Sequence, residues 1–290
     1  MLPLYPSGHY HSTIPSVSDL KRGDKRFPYK GIQIDWEAQL DLLNDLSSYY
    51  AELPFDESPS KATNYFYQNN YFSYSDAIVL FCMMNHFKPG KIIELGSGLS
   101  TACVIDSILH SKLSTRIRAF DLDDSRVREF IPESSSYEFF SFERIDIRDI
   151  DIEVFQALES ADILFIDSSH VSKYNSDLNH ILFEILPCLK PGVLIHFHDV
   201  FRNFEYPPSW IEEGIYWNEQ YMLRAFLQYN NDFEVMLFSD EMESRYTNWY
   251  QAHMPDCLKA HERHPHGENK GELISDIRGQ SLWLRKVASK

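Results

Sequence analysis

The chain has 290 residues, which suits one large α/β domain or one domain with appended elements. Its hydrophobic fraction of 43% supports a sizeable core and excludes global disorder. The 27 basic residues are scattered and are outnumbered by 43 acidic ones, giving a formal charge of −16. Nucleic acids and anionic membranes should be repelled, so we expect a small-molecule or saccharide substrate.

The N-terminus and the cysteines bear on where the protein resides. The first residues contain neither a basic segment nor an apolar stretch of the kind that makes a signal peptide. No apolar run reaches the roughly 18–20 residues of a membrane span. The four cysteines form no close pair, so no disulfide framework is expected. We therefore expect a cytoplasmic protein without a membrane partner. Its oligomeric state stays open between a monomer and a homo-oligomer.

Residues 1–75 are predicted to form an N-terminal arm and a helical extension. The arm, residues 1–34, shows no hydrophobic period. Apolar residues at three-to-four spacing then predict a helix from Asp35 up to a break at Pro54. A second, densely apolar helix is predicted over 74–87. The second predicted domain covers the remainder of the chain, residues 76–290.

From residue 91 onward, segments typical of strands alternate with segments typical of helices. The predicted strands are 91–95, 117–121, 139–145, 162–167, 193–197, 233–238 and 281–285. The predicted helices are 99–113, 125–130, 152–158, 178–189 and 216–229. This alternation predicts an α/β fold with a Rossmann-like, doubly wound, mostly parallel seven-stranded sheet. The insertion 239–279 shows no amphipathic crossover helix, so the last strand is expected to be antiparallel.

The first of these strands leads into a glycine-containing loop, residues 94–100, with the sequence ELGSGLS. Gly96 permits a tight turn with unusual backbone angles, and Gly98 removes a side chain where a ligand would approach the backbone. The helix that follows directs its free N–H groups toward such a ligand. A plain strand-to-helix turn also explains this short pattern when it is taken alone.

Acidic residues follow the next strands at their carboxyl ends, where open α/β sheets bind ligands. Asp121 ends the second strand, at a position where a carboxylate can bind ribose hydroxyls. Asp146 follows the third strand, with Asp149 as a competing candidate, and Asp167 ends the fourth. Each acid alone could be a helix cap or a turn residue. Together they indicate a nucleoside-binding site.

The loop lacks the third glycine of the nicotinamide-type fingerprint, because Ser100 occupies that position. With its glutamate two residues before the first glycine, the sequence resembles class I S-adenosylmethionine-dependent methyltransferases over roughly residues 75–238 and the last strand. The resemblance implies S-adenosylmethionine as the cofactor, with its ribose at Asp121 and its adenine near Asp146. The cofactor-binding residues predicted in this way are Glu94, Gly96, Ser97, Gly98, Ser100, Thr101, Asp121, Asp146 and Asp167.

Histidines and acids follow the fourth and fifth strands, which are neighbours in this architecture. Residues 167–170 have the sequence DSSH, and strand alternation places His196 and His198 on one face of the sheet. Such a cluster can supply a general base for a hydroxyl, with His198 and His170 as the candidates and Asp199 beside them. It can also hold a divalent cation that lowers the hydroxyl pKa. Hydrogen-bonded structural histidines are the alternative, above all for His196.

Further segments refine the resemblance. With DSSH, HFHD at 196–199, YPPSW at 206–210 and WNEQY at 217–221, the chain resembles a bacterial subgroup of methyltransferases. Its relatives include enzymes that methylate hydroxyls of sugars or natural products, some with magnesium. The resemblance implies Asp167 and Asp199 as the metal ligands and leaves the third ligand unassigned. Segment 206–210 is expected to be a rigid loop beside the site.

A C-terminal group invites comparison with zinc sites. The spacing of its members matches no common structural zinc pattern, and no metal is expected there. The group consists of Cys257, His261, His264 and His266.

The leading hypothesis is a methyltransferase (EC 2.1.1.-) that transfers the methyl group of S-adenosylmethionine to a hydroxyl of a small molecule or sugar, with His198 or His170 as the base and Mg²⁺ as an optional cofactor. Three alternatives stay open. They are a metal-dependent oxygenase or hydrolase on the same scaffold, a non-catalytic cofactor-binding partner protein, and a nicotinamide-binding protein.

Overall fold

The computed structural model describes residues 4–21, 29–132, 136–260, 270–272 and 277–288. The strands are β1 (Lys91–Leu95), β2 (Arg116–Asp121), β3 (Phe140–Arg144), β4 (Ile163–Ile166), β5 (Leu194–Phe197), β6 (Phe233–Phe238) and β7 (Leu282–Lys286). The α-helices are α1 (Val17–Lys21), α2 (Trp36–Ser47), α3 (Tyr74–Phe87), α4 (Leu99–Ser111), α5 (Ser125–Phe130), α6 (Ile152–Gln156), α7 (Asp177–His180), α8 (Leu186–Cys188), α9 (Pro208–Glu212), α10 (Glu219–Leu227), α11 (Ser239–Arg245) and α12 (Thr247–His253). A π-helical turn, Ile181–Ile185, joins α7 to α8.

The seven strands form one sheet in the order β3-β2-β1-β4-β5-β7-β6. The five strands from β3 to β5 are parallel to one another. Strand β7 lies between β5 and β6 and pairs antiparallel with both. The predicted sheet is confirmed, including its antiparallel last strand. Because parallel strands end at the same edge, the loops that follow β1 to β5 meet at one place.

Alternate residues of the central strands face two separate layers of core. Ile92 belongs to the layer built with α2, α3 and α4, whereas Ile93 belongs to the layer built with α7, α8 and α10. Both faces of the sheet are therefore covered, as these continuously apolar strands require. The N-terminal segment contributes to the first layer through Leu43, Tyr65 and Phe72.

Helix α2 begins at the residue that the sequence indicates. The Asp35 carboxylate accepts the N–H groups of Glu37 and Ala38 at 3.1 and 3.0 Å, which satisfies two donors of the first turn. Leu43 and Leu46 lie on its buried face. Apart from the short helix α1, the described part of the arm is irregular, as predicted.

The segment 239–279 differs from the expectation because it contains α11 and α12. Hydrophobic periodicity misses α11 because this helix buries carboxylates, among them Glu241 and Glu243, in place of an apolar stripe. Glu243 accepts hydrogen bonds from the Ser75 hydroxyl and from the N–H of Gly279. Among the helices that the structure describes, none is both long and apolar enough to cross a bilayer.

Candidate active site

A cavity of about 780 Å³ opens at the carboxyl edge of the parallel strands. The segment following each of the five strands contributes to its wall, through Gly96, Asp121, Asp146, Asp167 and Asp199. The acids that the sequence places at successive strand ends therefore share one cavity.

Gly96 lies where β1 turns toward α4, and its φ is +89°. A Cβ atom here would lie 1.9 Å from the carbonyl oxygen of Asp167. Two main-chain hydrogen bonds of 2.9 Å hold this close approach, from Gly96 to Phe120 and from Asp167 to Leu95. The tight turn expected from the sequence is confirmed, and glycine is the residue that fits it.

Glu94 is fully buried beneath the loop. Its two oxygens accept the hydroxyls of Ser100 and Thr101 at 2.7 Å each, and Thr101 Oγ1 accepts the N–H of Gly98 at 3.0 Å. None of these four residues lies on the cavity wall. They brace the loop against the first turn of α4, so their influence on a ligand would act through the loop.

The buried position of Glu94 predicts a pH effect on stability. Burial raises its pKa to about 8, although the Ser100 and Thr101 hydroxyls oppose the shift. Between pH 4.5 and 8 the folded state therefore holds a proton that the unfolded state has released, and this contribution to stability falls as pH rises. In the wild-type protein this effect lowers the free energy of unfolding by up to about 1.4 kcal/mol per pH unit, and we expect Glu94→Gln to abolish it. Urea unfolding at pH 5, 6, 7 and 8 measures it.

The other buried acids are present in both proteins. Their contributions to the pH dependence of stability therefore cancel when wild type is compared with Glu94→Gln. The exposed-site variant Glu129→Gln should keep the wild-type pH dependence. Parallel pH profiles for wild type and Glu94→Gln would contradict the prediction.

Asp121 lies on the cavity wall at the end of β2. Its Oδ2 accepts the N–H and the hydroxyl of Ser97 at 2.9 and 3.1 Å, and its Oδ1 accepts the N–H of Asp123 at 3.2 Å. A carboxylate can accept about four hydrogen bonds, so Asp121 retains capacity for the hydroxyls of a ligand.

Asp146 lies on the cavity wall, whereas the competing candidate Asp149 does not. The Arg148 side chain pairs with both Asp146 oxygens, and the Arg148 N–H donates to Oδ1 at 3.0 Å. This pairing lowers the pKa of Asp146 to about 2, against a smaller effect of burial. Asp146 is thus a fixed negative charge beside Arg148, which also lines the cavity.

His170, which also lines the cavity, lies at the centre of an acidic cluster. Its Nε2 is 3.1 Å from Asp167 Oδ1 and 3.4 Å from Asp199 Oδ2, and its Nδ1 is 2.7 Å from Glu219 Oε2. Burial lowers the pKa of His170, but Glu219, Asp167 and Asp199 together raise it well above the ordinary value. With a carboxylate at each ring nitrogen and a raised pKa, His170 is protonated, so it must release a proton before it can act as a base.

The carboxyl groups of Asp167 and Asp199 differ in their pKa. Burial raises the pKa of Asp167, but its hydrogen bond to His170 and the nearby His198 lower it below the ordinary value. For Asp199 the burial effect outweighs both histidines, and its pKa is raised. Neighbouring acids with separated pKa values are suited to different roles in proton transfer.

Backbone conformation adds to this geometry. His170 and Asp199 have φ values of +57° and +59°, in the left-handed region that side-chain-bearing residues rarely adopt. The His170 carbonyl accepts the N–H groups of Asn218 and Glu219 at 3.1 Å each, which holds it in place. Such backbone strain is concentrated at functional sites.

The other two histidines differ in their access to the cavity: His198 lines its wall, with Nε2 3.6 Å from Asp199 Oδ1, whereas His196 does not line it. His198 Nε2 lies 3.1 Å from the Tyr71 carbonyl, so it carries a proton, and His198 Nδ1 is buried without a partner among the described residues. His196 bonds Ser281 Oγ at 2.8 Å and is fully buried. The rings of His196 and His198 lie 6.0 Å apart, which confirms that they share a face of the sheet.

Aromatic residues form the wall beside His170. Trp217 stacks on the His170 ring at 4.1 Å, and Trp210 packs edge-on against Trp217 at 5.3 Å. Both tryptophans and Ile215 line the cavity. Segment 206–210, expected to be a loop, runs into α9, which carries Trp210. It does lie beside the site, as predicted.

Several wall residues escaped the sequence analysis. Tyr71 and Arg126 lie on segments before β1 and after β2 and carry no recognisable motif. Glu219, which bonds His170, belongs to the WNEQY segment. The polar residues of this segment were the feature that could have indicated its place in the site. In the C-terminal group, Cys257 is buried with a free thiol, and His261, His264 and His266 lie outside the described residues.

Comparison with known proteins adds an independent finding. Residues 93–200 match a family model described as "Methyltransferase domain". An uncharacterized protein of Archaeoglobus fulgidus is 25% identical over 167 residues, which cover 54% of this chain and 74% of that protein.

Solved structures are also similar to this chain. The O-methyltransferase TomG of Streptomyces achromogenes, in complex with SAM, is 11% identical with a TM-score of 0.45, covering 89% of this chain and 92% of that one. A structure described as cmcI-D160 Mg-SAM is 19% identical with a TM-score of 0.37, covering 83% and 84%. Residues 93–200 are therefore similar to a methyltransferase domain, and they lie within a seven-stranded, mostly parallel Rossmann-like α/β sheet.

Proposed function

We propose that this protein transfers the methyl group of S-adenosylmethionine to a hydroxyl of a small molecule or sugar. The observation that carries the proposal is the shared cavity. Gly96 of the loop and Asp121, the acid expected to bind ribose, line the same cavity as the cluster of Asp167, His170 and Asp199. One side suits a nucleoside cofactor, and the other side suits proton transfer from a hydroxyl.

In the proposed reaction, the acceptor oxygen forms a bond to the methyl carbon while the sulfur–methyl bond breaks. The hydroxyl proton passes to Asp199, and S-adenosylhomocysteine leaves as a neutral thioether. Asp199 suits this role because it lies on the cavity wall and burial raises its pKa. His170 Nε2 lies 3.4 Å from Asp199 Oδ2 and positions this carboxylate. Alignment of the two reactants in the cavity accounts for the remainder of the rate acceleration.

The same cluster fits a divalent cation. Ligand atoms of Asp167, His170 and Asp199 all lie within 4.8 Å of one another. If His170 Nε2 bound a metal, Nδ1 would keep its hydrogen bond to Glu219, the arrangement that commonly orients metal-binding histidines. Two carboxylates and one imidazole suit Mn²⁺ or Zn²⁺ better than Mg²⁺. A bound cation would supply Lewis-acid stabilisation of the acceptor oxygen.

The aromatic wall suggests the kind of acceptor. Trp210, Ile215 and Trp217 offer an apolar surface next to the cluster, and a flat ring bearing a hydroxyl could lie against it. Among the described residues, the metal-type cluster contains one histidine, so it lacks the two histidines of non-haem iron oxygenases. This favours the transferase over the oxygenase alternative.

Calorimetry with S-adenosylhomocysteine, followed by transfer of labelled methyl from S-adenosylmethionine to a panel of phenols, sugars and other alcohols, tests the proposal. Saturable binding and a labelled acceptor are expected. Binding without transfer to any acceptor would favour the non-catalytic alternative, and absence of binding would overturn the proposal.

Removing the carboxylate of Asp121 should weaken cofactor binding. Hydrogen bonds to charged groups contribute about 1.5–3 kcal/mol, so Asp121→Ala should raise the Kd for S-adenosylhomocysteine roughly 10- to 150-fold. The matched control Asp149→Ala removes an acid that lies off the cavity wall and should leave the Kd unchanged. Equal effects of the two substitutions would contradict the assignment of Asp121.

A further inference from the structure

The segment that follows β5, residues 199–204, brings Asp199 to the cavity on a strained backbone. The φ angles of Asp199, Asn203 and Phe204 are +59°, +60° and +55°, in the region that residues with side chains rarely adopt. Such a conformation persists only where the surrounding structure fixes it. The shape of this segment therefore depends on the groups that bond it from outside.

Four consecutive N–H groups of this segment donate to groups that are distant in the sequence. The fourth runs from Asn203 to the Tyr29 hydroxyl at 2.7 Å, across 174 positions. The other three measure 2.9, 3.0 and 2.9 Å and run from Val200 to the Gln280 carbonyl, from Phe201 to Gln220 Oε1 and from Arg202 to Asp240 Oδ2.

The Tyr29 hydroxyl bridges this segment to α11. Its oxygen accepts the N–H of Asn203, and its proton is donated to Glu241 Oε1. Burial and the hydrogen bond to Glu241 raise the pKa of Tyr29, so the phenol stays protonated at neutral pH. Asn203 is buried, and its N–H would lose this acceptor if the hydroxyl were removed.

Other contacts seat the residues around Tyr29 without using this hydroxyl. The Gly31 carbonyl accepts the N–H of Tyr229 at 2.6 Å. The Tyr29 ring packs edge-on against Phe204, with the ring centroids 6.0 Å apart. Tyr29→Phe should therefore keep the ring in place and remove only the two bonds of the hydroxyl.

Asp199 and the aromatic wall both depend on this segment. Asp199 begins the segment, and Asn203 lies near its end. Between them, Phe201 packs edge-on against Trp210 at 5.0 Å, and Trp210 lines the cavity. A shift at Asn203 would therefore reach both the carboxylate beside His170 and the surface against which an acceptor could lie.

We propose that Tyr29 is a positioning residue for methyl transfer, because its hydroxyl holds segment 199–204 in the conformation that presents Asp199 and Trp210 to the acceptor. This assignment rests on the proposed function, in which Asp199 takes the hydroxyl proton. Tyr29 itself lies off the cavity wall, whereas Asp121 lies on it at the end of β2. Tyr29 therefore acts through the segment, and the cofactor side of the cavity at Asp121 does not depend on it.

Tyr29→Phe and Tyr50→Phe form a matched pair of variants. The Tyr50 hydroxyl makes the same two kinds of bond, donating to Asp256 Oδ2 at 2.8 Å and accepting the Asp256 N–H at 3.1 Å, and both residues lie off the cavity wall. Amide hydrogen exchange read by mass spectrometry reports local opening of the backbone. Exchange of residues 200–204 should rise about 5- to 100-fold in Tyr29→Phe and stay at the wild-type rate in Tyr50→Phe. Strands β1 to β4 should remain protected in both variants.

Methyl transfer is the second readout, with the phenol or alcohol of the acceptor panel that the wild type methylates fastest. The kcat of Tyr29→Phe should fall about 5- to 50-fold, because a small displacement of a reacting group slows transfer. Its Kd for S-adenosylhomocysteine should stay within twofold of wild type. A purely structural role would lower the stability of both variants to a similar degree and leave kcat at the wild-type value in each.

The outcomes separate this assignment from the proposed function. Unchanged exchange of residues 200–204 in Tyr29→Phe, or faster exchange with a wild-type kcat, would overturn the role of Tyr29 and leave the proposed function standing. A wild-type protein that transfers no methyl group to any acceptor would overturn the proposed function and the assignment with it.

Discussion

Replacing Gly96 with alanine should severely destabilise the protein and displace the end of β4. The new Cβ would lie 1.9 Å from the Asp167 carbonyl oxygen, and the φ of +89° is unfavourable for any residue with a side chain. The obstacle is backbone, so no rotamer change relieves it. We expect a loss of at least about 3 kcal/mol from the clash and the backbone strain together. Thermal and urea unfolding measure it.

Gly98→Ala is the matched control in the same loop. Gly98 has a φ of 166°, which any residue adopts, and its Cβ would meet only the flexible Arg126 side chain at 3.3 Å. We expect less than about 1 kcal/mol of destabilisation, within the range of well-tolerated core changes. A Gly96→Ala protein as stable as Gly98→Ala would show that the loop can open away from Asp167, which the paired main-chain hydrogen bonds argue against.

The contrast between these glycines shows what the sequence can predict. The ligand edge follows from strand order alone, because parallel strands end together, and this rule placed Asp121 and Asp167 at one cavity. Strand order does not predict which residues of the loop line the cavity and which are buried behind it. Glu94 and Ser100 fit a ligand-binding pattern, yet their hydroxyl–carboxylate bond is buried behind the loop. Periodicity carries no information about which way a loop side chain turns.

Long-range contacts and positive φ angles also lie beyond what the sequence can predict. Glu219 reaches Nδ1 of His170 across 49 positions of sequence. Tyr71 reaches His198 across 127. No local pattern encodes such pairs. The left-handed conformation of Asp199 is a similar case, because the next residue, Val200, donates its N–H to the distant Gln280 carbonyl at 2.9 Å.

Removing the carboxylate charge of Asp199 should abolish most methyl transfer while sparing cofactor binding. Asp199→Asn keeps the shape of the side chain but cannot accept the hydroxyl proton. General-base contributions are typically 10²- to 10⁴-fold, so we expect a fall in kcat of about that size. The Kd for S-adenosylhomocysteine should change little, because Asp199 lies with the cluster and not at Asp121. Single-turnover methyl transfer and calorimetry measure the two quantities.

The surface variant Asp124→Asn, which breaks the exposed pair with Arg128, should retain full turnover. Metal dependence then separates the two roles of the cluster. If Asp199 acts as the base alone, wild-type turnover should survive a chelator and rise with pH through the raised pKa of Asp199, because the carboxylate must be ionised to accept the proton. If the cluster holds a cation, the chelator should abolish turnover and Mn²⁺ should restore it in wild type but not in Asp199→Asn. Turnover by Asp199→Asn within twofold of wild type would remove Asp199 from both roles.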